Sequence, residues 1–553
     1  MRYSLTFFFL LLTLHLNGDT KLFHLLQDQS ELHTIVEFGI GENTPWLINH
    51  FSEGMTADIC PTKRAELVFS YFYFQCNDSL HWKFHFQRPS KEMRDASLLL
   101  QLKKDPTIYD ATYLLQYKDF CDELFENKVW DIAFVHPSVN LWGDLIMELF
   151  DRVKVIIANN TLEDCYGWYR IHTPSNYHKV VWSDQTIWVH EEEDKILQAL
   201  GVNPKSFPKK HLKIFTCSTH ISLTASLARA LHYLGHTLQL AGSSFNIAAP
   251  NAGVKVYGGT HLKEDPQQLV DVRQIAPNDW SYTQGNIGQD LPGNIEVIEN
   301  DEIFSNPPDV ILITAETQEE QLFELWQLLR PFHDVKLVHY AGNVGVPYTR
   351  SIIKNLIALD AVTEQAYLDH HCNRLLWIPW LNYDELPFEG INDSLNIHSY
   401  LQHHYTIAFP QGKEIYETYT RQFCSEFPEI TFSNLWIPSH SEFLDTLSAC
   451  SATIHAKDSE GFGYTILECL SRGKPVFLPR KFCLERRLMN WCIEGKTALF
   501  FDTYEEFREK LHHFLNDAEY RHALQISAAQ SIRRFIDNEK QARILDHFLQ
   551  TLQ

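Results

Sequence analysis

From residue 33 onward, short apolar runs alternate with amphipathic stretches along the chain. Alternation of this kind is typical of parallel β-sheets covered by helices, so it predicts an α/β protein. The elements predicted in the N-terminal third are strands at 33–38, 131–135, 153–158, 179–182 and 186–189 and helices at 142–150 and 191–200.

The same alternation continues after a stretch rich in Pro and Lys, residues 201–210, which is typical of a linker. A buried-strand pattern at 212–217, a helix at 223–234 and a strand at 237–241 then predict a βαβ unit. The later predicted elements are strands at 310–314, 336–340, 375–378, 405–409, 452–455 and 476–478 and a helical tail at 504–552.

A chain of 553 residues is long enough for three or four domains. The pattern therefore predicts three Rossmann-like parallel-sheet units, at residues 25–203, 211–340 and 341–553. Ahead of them, residues 1–20 form a hydrophobic segment in which Arg2 precedes an apolar run. That run is shorter than the roughly 20 residues needed to span a bilayer. It fits the apolar core of a signal peptide, or a buried first helix or strand, and both readings stay open.

Composition narrows the class of function. The 70 Asp and Glu residues outnumber the 47 Lys and Arg residues, which gives a net charge of −23. A surface this acidic repels nucleic acid, so a general nucleic-acid binder is not expected. The 11 cysteines include no Cys-x-x-Cys pair and no His at zinc-like spacing, so reduced thiols and no metal site are expected.

The most informative motif occupies residues 459–476 and reads SEGFGYTILECLSRGKPV. Its predicted order is strand, glycine loop, helix, glycine and strand. Gly461 and Gly463 allow the backbone to approach a ligand closely, and the helix that follows directs its positive dipole end at the loop. Such a loop is suited to a diphosphate. Glu468, just over one turn into the helix, can accept two hydrogen bonds from a vicinal diol such as a ribose.

This motif resembles that of the retaining GT-B glycosyltransferases of the group 1 or family 4 type, strongly over residues 450–515 and more weakly over 211–553. The matching residues are Glu460, Gly461, Phe462, Gly463, Glu468, Gly473, Pro475 and Val476. The resemblance implies a nucleotide-sugar donor in the last unit, an acceptor domain in the unit before it, and a cleft between them. It also implies a C-terminal helix that returns to the acceptor domain.

The resemblance assigns roles residue by residue. Glu460 would contact the transferred sugar, Glu468 the ribose, and the amides from Gly461 to Tyr464 the diphosphate. Ser459, Phe462 and Thr465 complete the expected donor-binding set. The family neutralises its leaving diphosphate with an Arg and a Lys rather than with a metal ion.

The Gly-Arg pair that usually carries this cation is absent here, so Lys413 and Arg421 are the candidates, with solvated surface charges as the alternative reading. On the acceptor side, His220, His339 and Asn343 lie at or after the ends of predicted strands and are expected to face the cleft. An uninvolved His remains the alternative for His220, because the chain contains 28 histidines.

A second, shorter pattern lies at residues 35–44, IVEFGIGENT, which is a strand that runs into a glycine turn. It resembles the cofactor loop of class I S-adenosylmethionine methyltransferases. On that resemblance Glu37, Gly39, Gly41 and Asp58 would bind S-adenosylmethionine. The alternative is a scaffold domain that binds a partner or stiffens the transferase.

The sequence therefore predicts a glycosyltransferase of the hexosyltransferase type, with a glycan, lipid or protein as acceptor. No cofactor is expected for glycosyl transfer, while S-adenosylmethionine remains open for the N-terminal domain. Two alternatives stay open: a methyltransferase whose C-terminal half only binds a glycan or nucleotide, and an inactive scaffold. A cytoplasmic or membrane-associated location, the latter through the N-terminus, is preferred to secretion because nucleotide sugars are made in the cytosol.

Overall fold

The structure is a computed structural model, and its chain divides into two compact units, residues 1–209 and 210–553. The residues it describes are 32–39, 44, 47, 51–58, 82–86, 118, 120–125, 128–136, 142–159, 171–182, 185–202, 210–216, 221–241, 255–257, 269–271, 292–298, 302–313, 316–341, 354–359, 372–399, 416–433, 440–455, 463–480 and 491–552.

The first unit contains one seven-stranded sheet in the order β3-β2-β1-β4-β5-β7-β6. All neighbours pair in parallel except β7, which runs antiparallel to β5 and β6. The strand order reverses between β1 and β4, and such switch points are where open α/β sheets bind ligands. The strands are β1 Thr34–Phe38, β2 Glu53–Asp58, β3 Trp82–Phe86, β4 Trp130–Val135, β5 Val153–Ala158, β6 Tyr177–Trp182 and β7 Gln185–His190.

Helix α1, Trp142–Leu149, connects β4 to β5, and helix α2, Asp194–Ala199, follows β7. Strands β4 and β5 are buried along almost their whole length, which shows that both faces of the sheet are covered. Continuous apolar strands of this kind are expected in a sheet with helices on both sides.

The second unit begins with another seven-stranded sheet, in the order β12-β9-β8-β13-β14-β15-β16 and parallel throughout. We call residues 210–376 the first lobe. Its elements are β8 Lys213–Thr216, α3 Ile221–Tyr233, β9 Thr237–Ala241, β10 Lys255–Tyr257, β11 Leu269–Asp271, β12 Ile295–Ile298, β13 Val310–Ile313, α4 Glu316–Leu329, β14 Lys336–Ala341, β15 Asn355–Ala358 and β16 Asn373–Leu376.

Residues 396–535, the second lobe, are built on a five-stranded parallel sheet in the order β18-β17-β19-β20-β21. Its elements are β17 Asn396–Ser399, a π-helical turn Tyr416–Thr420, α5 Arg421–Glu426, β18 Thr431–Ser433, α6 His440–Ala449, β19 Ala452–Ile454, α7 Tyr464–Ser471, β20 Val476–Pro479, β21 Ala498–Phe501, α8 Tyr504–Asn516 and α9 Ala518–Phe535.

The last helix, α10 Asn538–Gln550, leaves the second lobe and packs against α3 of the first. A buried hydrogen bond of 3.1 Å joins Nε2 of His236, just before β9, to Oδ1 of Asp546 on α10. Nδ1 of the same imidazole accepts from the amide of Leu212 at 3.3 Å, so Nε2 carries the proton and donates to the carboxylate. This pair fixes the C-terminal helix to the first lobe.

Residues 377–395, which we call the connecting segment, link the two lobes. They are hydrogen-bonded to the chain just before α10 and at its first residue. The side chain of Asn538 donates to the carbonyl of Leu381 at 2.7 Å and accepts from its amide at 3.0 Å. The hydroxyl of Tyr383 donates to the carbonyl of Ile536 at 2.8 Å. The chain therefore passes between the two lobes twice, through the connecting segment and into α10, and these two passages are hydrogen-bonded to each other.

The predicted fold class, three Rossmann-like and largely parallel α/β sheets, is confirmed. The strand predicted at 375–378 is present at Asn373–Leu376, but it pairs with β15 at the edge of the first lobe. The sheet of the second predicted unit therefore continues past residue 340. The strand predicted at 405–409 lies outside the described residues, and so does the N-terminal segment 1–20. Among the described helices, none is long and apolar enough to cross a bilayer.

The turn between α7 and β20 has little room for a side chain at Gly473. Gly473 has a φ of 72°, and a Cβ added there would lie 2.5 Å from Cε2 of Phe388 and 3.0 Å from the carbonyl oxygen of Gln525. Gly473→Ala should therefore lower the free energy of unfolding by about 2–4 kcal/mol through left-handed strain and overpacking. Chemical denaturation monitored by fluorescence measures this change.

Gly495→Ala is the matched control, since Gly495 has a φ of 71° but open space around the added carbon. In this variant only the left-handed backbone strain should lower the free energy of unfolding, by about 1–2 kcal/mol. Equal losses in the two variants would show that the contact with Phe388 is not tight.

Candidate functional site

Helix α7 begins at Gly463, whose φ of 77° and ψ of 36° place it in the left-handed region at the N-cap. A side chain is disfavoured in this conformation, which accounts for glycine at this position of the motif. The carbonyl of Gly463 accepts from the amides of Ile466 at 2.9 Å and Leu467 at 3.3 Å. The amides of Tyr464 and Thr465 precede these bonds, at the positive end of the helix.

Glu468 lies on the buried face of α7 and is only 5% exposed. The described residues supply no hydrogen bond to its carboxyl group. Burial, and secondly the charge of Glu385, raise the pKa of Glu468 to about 8. A buried carboxyl group whose ionisation no described residue offsets is a frequent mark of a functional site, because such groups often acquire their partner from a ligand.

Glu385 and Tyr464 interact electrostatically with this carboxyl group, and Arg229 is paired with the first of them. Glu385 of the connecting segment forms an ion pair with Arg229 of α3, with 3.7 Å between the nearest N and O atoms. Tyr464, one turn before Glu468, donates its hydroxyl to the carbonyl of Trp380 at 3.0 Å. Burial, followed by the charge of Glu468, raises the pKa of the Tyr464 hydroxyl well above its usual value. The group thus contains residues from both lobes and from the segment between them.

Tyr340, near the carboxyl end of β14, belongs to the same neighbourhood, since its hydroxyl interacts electrostatically with Tyr464. The side chain is 2% exposed, and its hydroxyl makes no hydrogen bond to any described residue. Burial raises its pKa, so it stays protonated and able to donate.

Half of the donor-site residues expected from the sequence fall outside the described part of the chain. Gly463, Tyr464, Thr465 and Glu468 are described and lie together at the start of one helix. The residues that lie outside it are Ser459, Glu460, Gly461 and Phe462. Their assignment stays a prediction.

Of the two candidate cations, Lys413 lies outside the described residues. Arg421 is exposed at the first position of α5 and makes no hydrogen bond or ion pair with another described residue. Of the acceptor-side residues, His339 is buried on β14, 3% exposed. His220 and Asn343 belong to stretches that the structure does not describe.

In the first unit, Glu37 is fully buried near the end of β1 and joins three neighbouring elements. Its Oε1 accepts from the hydroxyl of Thr44 at 2.8 Å and lies 3.0 Å from Nε2 of His136, just after β4. Its Oε2 accepts from the hydroxyl of Thr56 on β2 at 3.0 Å. Because both oxygens are engaged within the protein, Glu37 holds the ends of β1, β2 and β4 together at the switch point.

Of the three other residues expected to bind S-adenosylmethionine, Gly39 and Asp58 are described. Gly39 has a φ of 81°, and its amide donates to the carbonyl of Ala57 on β2 at 2.9 Å. Asp58 ends β2, and Gly41 lies outside the described residues. The left-handed turn after β1 is therefore present, while the ligand contacts stay a prediction.

Arg229, Tyr340 and Glu385 were not predicted from the sequence. No local pattern marks them: Arg229 sits on an ordinary amphipathic helix, Tyr340 in an apolar strand, and Glu385 in a turn-rich segment. Only the pairing of distant segments brings them to α7.

No protein-family model matches the sequence, and no curated protein matches it. Among solved structures, a glycosyltransferase from Rickettsia africae ESF-5 aligns over 61% of this chain and 98% of its own, with 11% identity and a TM-score of 0.41. Sucrose-phosphate synthase from Thermosynechococcus elongatus aligns over 60% of this chain and 96% of its own, with 12% identity and a TM-score of 0.36.

A putative caffeoyl-CoA O-methyltransferase from Staphylococcus aureus aligns over 32% of this chain and 83% of its own, with 12% identity and a TM-score of 0.22. At these identities and TM-scores, none of the similarities establishes a reaction or a substrate for this chain. The chemistry of the site has to come from its own residues.

The raised pKa of Glu468 predicts a specific dependence of stability on pH. Between the ordinary value of 4.5 and about 8, the folded protein holds a proton that the unfolded chain has released. Stability therefore falls as pH rises through this window, by up to about 1.4 kcal/mol per pH unit. Glu468→Gln is permanently neutral, so its melting temperature should exceed that of the wild type by a margin that grows from pH 5 to pH 8.

Glu509→Gln, which neutralises an exposed glutamate on α8, is the control and should leave the pH profile as in the wild type. Parallel melting curves of the wild type and Glu468→Gln across this range would mean that Glu468 is ionised throughout.

Proposed function

We propose that the second unit is a glycosyltransferase that moves a sugar from a nucleotide-sugar donor to a glycan, lipid or protein acceptor. The observation that carries the proposal is Glu468, a buried carboxyl group of raised pKa on a helix that begins at left-handed Gly463. A helix N-terminus suits a diphosphate and the adjacent carboxylate suits a vicinal diol, and a ribonucleoside diphosphate contains both groups.

The donor would bind with its diphosphate at the amides around Gly463 and its ribose at Glu468. Two hydroxyl donors from the ribose would favour the ionised carboxylate and offset the cost of its burial. Glu460, ahead of the glycine loop, would contact the transferred sugar. Retention of configuration and independence from metal are proposed on the sequence resemblance alone.

The leaving diphosphate requires positive charge near the cleavage point, because its negative charge grows as the glycosidic bond breaks. The dipole of α7 supplies part of this charge. Lys413 and Arg421 remain the proposed side-chain cations, and Arg421 is exposed at the surface.

Binding of a nucleoside diphosphate should release a proton. With a pKa of about 8, Glu468 is mostly protonated at pH 7, and ionisation in the complex releases about 0.9 proton per ligand. Calorimetric titration with UDP, GDP and ADP in two buffers of different ionisation enthalpy measures this number. Release should fall toward zero at pH 9.5, where the free protein is already ionised.

Glu468→Ala should abolish this binding without loss of the folded state, and Glu509→Ala should bind as the wild type does. Full affinity in Glu468→Ala would remove the ribose assignment. Absence of binding by all three nucleotides to the wild-type protein would contradict the proposed function.

A further inference from the structure

In the first unit, a histidine and a buried glutamate meet at the carboxyl edge of the sheet. Glu37 lies one residue before the end of β1, and His136 directly follows β4. Oε1 of Glu37 lies 3.0 Å from Nε2 of His136, and the amide of His136 donates to the carbonyl of Phe38 at 3.0 Å. The strand order reverses between β1 and β4, so this pair lies where open α/β sheets usually bind a ligand.

The carboxyl group of Glu37 is held in one orientation. Its side chain is fully buried, and each of its oxygens accepts from a threonine hydroxyl, Oε1 from Thr44 at 2.8 Å and Oε2 from Thr56 at 3.0 Å. The hydroxyl oxygen of Thr56 in turn accepts from Nε1 of Trp82 on β3 at 3.0 Å. The carboxyl group cannot rotate without breaking buried hydrogen bonds, so Oε1 stays directed at His136.

The hydrogen bond with Glu37 determines which nitrogen of His136 carries a proton. Both oxygens of Glu37 act as acceptors, so Nε2 of His136 is protonated and donates. In a neutral imidazole the other nitrogen, Nδ1, then has a free lone pair. Nδ1 makes no hydrogen bond to any residue that the structure describes, and the side chain is 13% exposed.

The plane of the His136 ring is fixed as well. It meets the ring of Phe134, two residues earlier on β4, edge to face with 4.5 Å between the ring centroids. Phe134 is itself fully buried in the core of this unit. The imidazole is therefore held through one nitrogen and through its packing, and Nδ1 is left as the ring nitrogen that can bind something new.

We propose that the first unit has a site for a hydroxyl-bearing small molecule, in which Nδ1 of His136 accepts the hydroxyl proton and Glu37 is a positioning residue that acts through His136. When the proton moves, the O–H bond breaks, its electron pair stays on the oxygen, and the ring becomes a cation with a proton on each nitrogen. This charge forms 3.0 Å from the carboxyl group of Glu37, which stabilises it. The site does not depend on the function proposed for the second unit.

A pair that only joined β1 to β4 would not require an available Nδ1. Diethyl pyrocarbonate separates the two roles, because it acylates imidazole nitrogens that carry a lone pair. His190, at the end of β7, is the matched control, since it is more exposed, at 23%. Its two nitrogens have partners, because Nε2 lies 3.4 Å from Nδ2 of Asn176 and Nδ1 accepts from the amide of Glu192 at 3.4 Å.

Peptide mass spectrometry of the full-length protein measures the acylation rate at each histidine. Exposure alone predicts that His190 reacts faster, whereas the proposal predicts that His136 does. In Glu37→Gln the rate at His136 should fall by about tenfold or more, because the carboxamide can donate to Nε2 and place the proton on Nδ1. Thr56→Val removes another hydrogen bond of Glu37, so it should lower the melting temperature but leave this rate as in the wild type.

A measurement on the wild type keeps the proposal testable if Glu37→Gln does not fold. Long-range ¹H–¹⁵N correlation spectra show which ring nitrogen is protonated, once the pH is high enough that the His136 signals no longer change, and His136→Gln assigns those signals. An unprotonated Nδ1 together with faster acylation of His136 than of His190 supports the proposal. A protonated Nδ1, acylation of His136 no faster than that of His190, or an unchanged rate in folded Glu37→Gln would overturn it.

Discussion

The burial of one carboxyl group, Glu468, is the constraint on which the arrangement of the second unit depends. Ionising an isolated carboxyl group away from water is costly, and a protein usually offsets that cost with a cation or with hydrogen-bond donors. Here neither is supplied by the described residues, and the charge that acts on Glu468 is the like charge of Glu385. The fold thus keeps Glu468 protonated at neutral pH, ready to be ionised by a partner that brings its own donors.

The position of this carboxyl group is determined by backbone features rather than by a side-chain partner. Left-handed Gly463 starts α7, and left-handed Gly473 turns the chain into β20, so Glu468 lies between two fixed ends. Helix α7 also packs against α9. The hydroxyl of Tyr464 on α7 and the side chain of Asn538 hold the connecting segment, which carries Glu385. Rigid elements of this kind hold a site to the tolerance that binding requires.

Much of the fold could be predicted from the sequence, because the periodicity of apolar residues and the positions of glycines are local signals. The order strand, loop, helix, glycine and strand around residues 459–476 is found as predicted where it is described, from β19 through α7 to β20. Strand β15 was missed and β16 assigned to the wrong sheet, since each has only 4 residues and periodicity cannot accumulate over so short a stretch. Pairing between distant strands has no local signature.

The site was predictable only in part for the same reason. Glu468 could be named because its spacing from the glycines is local, whereas its protonation depends on Glu385, 83 residues earlier in the chain. Arg229 is farther still, and nothing in its helix distinguishes it from a solvated arginine. In the first unit, the ligand contact expected of Glu37 stays a prediction, and its described partners are Thr44, Thr56 and His136.

The most direct test of the account is the titration of the Glu468 carboxyl group itself. Infrared difference spectra between the wild type and Glu468→Gln isolate the carbonyl stretch of the protonated acid as pH is raised. The account predicts that this band persists through neutral pH and disappears around pH 8. Its disappearance near the ordinary value of 4.5 would contradict the account.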